Sequence, residues 1–238
     1  MPSFVSLFSV LIALLATPVL VQASGFGINA TRLIYPQEAR SISVTLRNTL
    51  TTAPYLVQVG VSCAQSGHVT APFLVTPPLF RLEPGSVNQV RIAMQGARLP
   101  ADRESVFYFQ ASAIPASTAP TSGNQGGGVH GTAQFGVGNI IKLFYRPADL
   151  PSSSTAAQQD LQFSRAQGGL QVSNPSPYFV SFASISVGGK KLRLDTSEAL
   201  MLMPFGSHTY PVTALRGPVK WQTINDEGGI NAFSRELP

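Results

Sequence analysis

Residues 131–147, GTAQFGVGNIIKLFYRP, constrain the fold more tightly than any other stretch of the chain. In the first half Ala133, Phe135 and Val137 alternate with Gln134, Gly136 and Gly138. Successive side chains of an extended chain point to opposite sides, so a period of two puts the apolar set on one face of a β-strand. The second half, Ile140 to Arg146, is nearly continuous in bulky residues, as in a strand covered on both faces, yet Lys142 is set inside it. A buried lysine is costly unless an anion or a polar partner meets it. Two things then need an explanation: what covers Phe135 and Val137, and what pairs with Lys142.

The rest of the chain carries the same signature. Runs rich in Val, Ile, Thr, Phe and Tyr recur at Ser41–Leu46, Tyr55–Val61, Gln89–Met94 and Ser105–Gln110. They resume at Leu170–Ser173, Tyr178–Val187, Lys191–Leu194 and Val219–Thr223, with Pro, Gly and Asn between them and little helical periodicity. Short strands at such spacing define an all-β sandwich class. Pro77 and Pro78 demote their neighbourhood to an edge or loop, and Glu83-Pro84-Gly85 reads as a turn. Pro115 to Gly131 lacks Lys, Arg, Asp and Glu and any apolar period, and reads as a flexible loop. A Pro/Ser-rich link at 148–154 divides a first domain, 24–147, from a second, 155–238. The second is small for an independent sandwich and is expected to lean on the first.

The N-terminal 23 residues stand apart from both domains. Phe4 to Leu20 is an uncharged apolar run, and Val21-Gln22-Ala23 fits the end of a cleaved export signal, with cleavage after Ala23. The rival, a membrane anchor, is disfavoured by the short run and by the absence of a basic cluster after it. The net charge of +5 is spread thinly, without a Lys/Arg block, which argues against a nucleic-acid surface. A partner bearing carboxylates suits it slightly better. Cys63 is the single cysteine, so no intrachain disulfide forms and the cores alone must hold the protein together.

No enzyme signature survives inspection. His68, His130 and His208 lack metal-ligand spacing, and there is no GxSxG elbow. Cys63 reads as a buried strand cysteine rather than a nucleophile. Gly126, Gly128 and Gly131 satisfy a GxGxxG pattern, but a strand follows where a dinucleotide site needs a helix. Asn29-Ala30-Thr31 is a glycosylation sequon of the kind that arises by chance. Neither a metal nor a cofactor is expected. What remains, beside Lys142, is a set of charges set against apolar strands: Arg32, Glu104, Arg146 and, in INDEGG, Asp226. Taken singly, each fits an ordinary surface charge at a strand end.

Taken together, their contexts resemble the periplasmic pilus-assembly (fimbrial) chaperones of the chaperone–usher pathway. The matching pieces are TRLIYP at 31–36, APYLVQV at 53–59, PFLVTPPLFRLEPG at 72–85 and LPADRESVFYF at 99–109. AIP at 113–115, IKLFYRP at 141–147, NPSPYFV at 174–180 and INDEGG at 224–229 follow in the family's order. The resemblance implies two immunoglobulin-like β-sandwich domains set as a boomerang around a cleft. It implies a binding protein without catalysis or cofactor, whose partners are fimbrial subunits and an outer-membrane usher.

By the same resemblance, Arg32 and Lys142 fall on the anchor for a subunit's C-terminal carboxylate. Ala133, Phe135 and Val137 fall on the donated strand, which completes a subunit's unfinished core. Glu104, Arg146 and Asp226 fall on an interdomain ion cluster, and Pro54, Leu79 and Arg91 on positions of usher contact. Gln110 stands where the family usually has Asn, and Gly136 and Gly138 make the donated row light. An apolar donated strand also allows a self-capped dimer of the free protein. The alternative from another class is an exported structural pilin or carbohydrate-binding sandwich, which would need an aromatic sugar platform or an exposed N-terminal donor extension. The lone Trp221 and the short Ser24–Ala30 lead give neither much support.

Overall fold

A computed structural model describes residues 25–67, 69–116, 136–213 and 216–237. The export signal, His68, Ala133, Phe135, His130 and most of the Pro115–Gly131 segment lie outside the described residues.

The first sandwich pairs two sheets. One has the order β1 (Phe26–Ile28), β3 (Ile42–Asn48), β7 (Val87–Met94), β5 (Phe73–Thr76). The other runs β2 (Arg32–Pro36), β9 (Val137–Arg146), β8 (Ser105–Pro115), β4 (Tyr55–Ser62), β6 (Leu79–Leu82). Their inner faces are made by period-two burial: Tyr55, Val57, Val59 and Val61 of β4 point inward, while Leu56 and Gln58 point out. The core between them includes Tyr35, Leu46, Ile92, Phe109 and Leu143. Its one buried amide, Asn48, donates to the carbonyls of Ala53, Leu82 and Glu83, so no buried donor is wasted there. The chain passes from one sheet to the other through Pro77 and Pro78, between β5 and β6, which is where the prolines interrupt the strand pattern.

The second sandwich has a three-stranded sheet, β10 (Gln162–Ala166), β11 (Gly169–Ser173), β15 (Ser207–Pro211). It faces a sheet of order β13 (Lys190–Lys191), β12 (Val180–Val187), β16 (Val219–Ile224), β17 (Ile230–Arg235), with β14 (Met201–Leu202) also paired to β12. Two short helices close it. Helix α1 (Ser154–Gln159) is capped by the Ser153 hydroxyl and begins on the last residue of the Pro/Ser-rich link, and α2 (Ser197–Leu200) is capped by Thr196. Gln158 of α1 is buried and plugs the base of this core. Its carbonyl accepts from Trp221 Nε1 at 2.9 Å, and its side-chain oxygen accepts from Thr223 Oγ1 at 2.7 Å. Among the described residues no helix is long and apolar enough to cross a membrane.

One expectation fails locally. Cys63 is exposed, not buried, because β4 ends at Ser62 and the cysteine begins the following turn. The two cores share no residue, which allows a direct test. Leu143 is wholly buried in the first core, so Leu143→Ala is expected to destabilise that sandwich by about 2–5 kcal/mol in urea unfolding followed by circular dichroism. Trp221, the single tryptophan, reports the second core by fluorescence, and its transition is expected to move less.

Candidate binding site at the domain junction

β2 and β9 run parallel, with Arg32 directly opposite Lys142 and Pro36 opposite Arg146. Leu33 and Tyr35 of β2 and Leu143 and Tyr145 of β9 enter the first core. Alternation then turns Arg32 and Ile34, and Lys142, Phe144 and Arg146, to the outer face of the sheet. This face meets the second domain. Phe144 is buried there against Phe179, with ring centroids 5.7 Å apart, and the Arg32 guanidinium lies over the Phe144 ring at 5.6 Å.

The junction is built from charge. Arg146 donates from Nε to Glu104 at 2.7 Å and from Nη1 and Nη2 to Asp226 at 2.7 and 3.0 Å. Glu104 also accepts the Phe179 backbone N–H at 2.8 Å, and Asp226 accepts the Ser154 hydroxyl at 2.9 Å. The ends of β8 and β9, helix α1 and the turn after β16 are therefore tied at one point. Glu104, Arg146 and Asp226 are brought together here, and Arg32 joins them by donating from Nη1 to the Ile224 carbonyl at 2.8 Å. Burial pushes the Glu104 carboxyl up despite the facing Arg146. Burial also opposes the Asp226 charge, but its hydrogen bonds and the Arg146 field outweigh it and hold that carboxyl below its ordinary range.

Lys142 has no such partner: among the described residues it makes no ion pair. Burial first, and then the neighbouring Arg32 charge, lower its pKa, and burial likewise lowers that of Arg32. The Arg32 Nε–H is buried without an acceptor. Three cations, Arg32, Lys142 and Arg146, stand against two anions, Glu104 and Asp226. The site is one negative charge short, and the two unsatisfied groups are neighbours in register.

The same place is the end of an open sheet edge. β8 pairs with β9 from Val137 to Tyr145, whereas β2 pairs with it only from Lys142 onward. On the side away from β8, residues 137–141 have no strand partner among the described residues, a free edge about 16 Å long. The β8–β9 register is continuous, so no bulge intervenes and Val137 and Lys142 lie on opposite faces of the strand. Val137 has the parity of Ile141, Leu143 and Tyr145, which pack on the first core, yet it is 43% exposed. Its partners in the alternating row, Ala133 and Phe135, lie outside the described residues. Gln110, the departure from the family's Asn, donates to Ser62 Oγ and the Gln65 carbonyl, both at 3.2 Å, and so fastens the loop after β4.

The remaining predicted positions are only partly gathered. Arg91 pairs with Thr76 at the end of β5, and Thr76 precedes the exposed Leu79 of β6 by three residues. Pro54 stands at the other end of β4, four residues from the Gln58 that pairs with Leu79. Leu56 and Ile114, paired and both exposed, extend the apolar surface near Pro54, and sequence patterning passed over them as ordinary alternation. Phe144, Phe179 and the Ile224 carbonyl were also missed. Backbone acceptors leave no trace in sequence, and the two phenylalanines read as core. Trp221 is 2% exposed and offers no platform to a sugar.

Comparison with known proteins follows this geometry. The family described as pili and flagellar-assembly chaperone, PapD N-terminal domain, matches residues 25–151, and the pili assembly chaperone PapD, C-terminal domain, matches residues 156–234. A probable fimbrial chaperone protein of Escherichia coli K12, ElfD, is 35% identical over 86% of this chain and 83% of its own length. The crystal structure of the E. coli chaperone DraB superposes with a TM-score of 0.76 at 32% identity, over 90% of this chain and 98% of that one. A chain from the Salmonella enterica SafA pilin–SafB chaperone complex does so at 0.75 and 28% identity, over 91% and 98%. The chain belongs to the pilus-assembly chaperone family and is a chaperone, not an enzyme.

The ion cluster makes two tests available. Glu104→Ala leaves Arg146 half-unpaired in a buried setting and is expected to destabilise the protein by about 3–5 kcal/mol in urea unfolding. Because the Asp226 pKa lies below its unfolded value, its contribution is complete above the ordinary carboxylate range and is lost as pH falls through the folded-state value. Asp226→Asn is therefore expected to shrink the difference in unfolding midpoint between neutral and strongly acidic solution.

Proposed function

We propose that this protein is a periplasmic chaperone that captures fimbrial subunits by their C-terminal carboxylate, completes their cores with β9 and delivers them to an outer-membrane usher. The observation that carries the reading is the missing negative charge at Arg32 and Lys142, placed where β2 closes the open edge of β9. A carboxylate supplies that charge and accepts charge-assisted hydrogen bonds from both groups, each contributing about 1.5–3 kcal/mol. With Nη1 engaged by Ile224, Arg32 has its Nε and Nη2 edge left for such a ligand.

The edge argues for a chain terminus rather than an acidic side chain. A strand added along residues 137–141 meets β2 at Arg32 and can go no further. If it ends there in its carboxylate, it runs parallel to β9, with the slanted bonds of a parallel pair. The exposed Val137 side chain then faces the open core of the guest. The SafB relative, seen in complex with a pilin, supports the partner class. Export rests on the apolar run Phe4–Leu20 followed by Val21-Gln22-Ala23, and usher contact on Pro54, Leu79 and Arg91 with the exposed Leu56 and Ile114 near Pro54.

Co-purification of a co-expressed subunit from periplasm tests the reading. Arg32→Ala and Lys142→Ala are each expected to weaken the complex by about tenfold or more, and wild-type recovery by both would overturn the anchor. Val137→Asp is expected to lower recovery while the free protein keeps its wild-type unfolding midpoint. Binding a carboxylate raises the depressed Lys142 pKa. Affinity should therefore hold at lower pH and fall as pH rises through the free-state value, below the ordinary lysine range.

A further inference from the structure

The turn joining β16 to β17 touches the anion site at more than one point. It carries Ile224, whose carbonyl holds Arg32, and Asp226, which holds Arg146. It is itself closed by three hydrogen bonds: Asn225 N to the Gly229 carbonyl at 2.9 Å, Gly228 N to the Asn225 carbonyl at 3.0 Å, and Gly229 N to Asn225 Oδ1 at 2.7 Å. A turn closed in this way moves as a unit. Gly228 sits at its apex with φ +85°, and a Cβ built there would collide with the hydroxyl of Thr31, the residue before Arg32. The left-handed backbone already disfavours a residue with a Cβ, and a Cβ at this position also forces the Thr31 hydroxyl to give way.

We propose that Gly228 is a positioning residue for the anion site: by lacking a side chain it lets this turn seat on Thr31, and so sets the Arg32 guanidinium beside Lys142. Arg32 is then held at both ends, its backbone by the β2–β9 pairing and the Thr31 contact, its tip by Ile224. Any residue with a Cβ at 228 lifts the turn, draws the Ile224 carbonyl away and frees the guanidinium to swing. The angle between the domains and the readiness of the anchor thus become one variable. The idea rests on the carboxylate reading for its consequence, but not for its geometry.

Two readouts test it in the full mature chain. The first is the Lys142 titration, followed by NMR of 13C-labelled lysine with no ligand present. Since Arg32 helps to lower that pKa, Gly228→Ala is expected to raise it towards the ordinary lysine value. The second is affinity for a co-expressed fimbrial subunit, expected to fall about tenfold, the scale of one charge-assisted hydrogen bond. The Thr31→Ala/Gly228→Ala pair removes the colliding hydroxyl while keeping the unfavourable φ. It is expected to fold and to return the Lys142 titration to that of Thr31→Ala alone, even if Gly228→Ala does not fold. A Lys142 titration unchanged in Gly228→Ala, or a pair no better than the single variant, would overturn the proposal. If Arg32→Ala binds subunit normally, the carboxylate reading fails while the titration still decides the role of Gly228.

Discussion

Everything at the junction depends on the parallel pairing of β2 with β9, which sets Arg32 beside Lys142. Like charges on neighbouring strands repel by on the order of 1–4 kcal/mol in surroundings between water and a half-buried site. Here neither charge is relieved by a carboxylate of its own, although two carboxylates lie close by. Both of those are committed to Arg146. The chain thus holds an electrostatic deficit at the end of an open sheet edge, and the deficit and the edge call for the same ligand.

The ion cluster explains how two separately cored sandwiches can hold such a site steady. Arg146 alone bridges a carboxylate before β8 and another after β16, and Phe144 against Phe179 supplies the apolar floor beneath Arg32. Buried networks of this kind define geometry more dependably than they add net stability, because desolvation offsets much of the attraction. The raised pKa of Glu104 is a local sign of that cost. In return, the turn that carries Asp226 also places the acceptor for Arg32.

Much of the fold was legible because period-two burial is written directly into the side chains. The runs at Tyr55–Val61 and Gln89–Met94 fall within β4 and β7, and Lys142 stood out because nothing apolar explains it. What stayed hidden depended on register. No periodicity says that β2 pairs parallel to β9, so Arg32 and Lys142 could be joined only through family resemblance. Whether Val137 and Lys142 share a face turned on a bulge, and the continuous β8–β9 register removes it. Gly228 has no signature of its own in the sequence, since a close approach between residues nearly two hundred positions apart leaves no local mark. Cys63 misled for the opposite reason: its neighbours are strand-like, but the strand stops one residue earlier.

The most direct measurement compares two synthetic peptides of one sequence, the terminal strand of a cognate fimbrial subunit, ending in a free carboxylate or in a carboxamide. Every side chain and nearly every backbone bond is shared between them, so calorimetric titration isolates the one negative charge. The account predicts that the acid binds about a hundredfold or more tightly than the amide, the combined effect of two charge-assisted hydrogen bonds. Equal affinity for the two peptides would contradict it, and would leave the free edge of β9, without Arg32 and Lys142, as the basis of recognition.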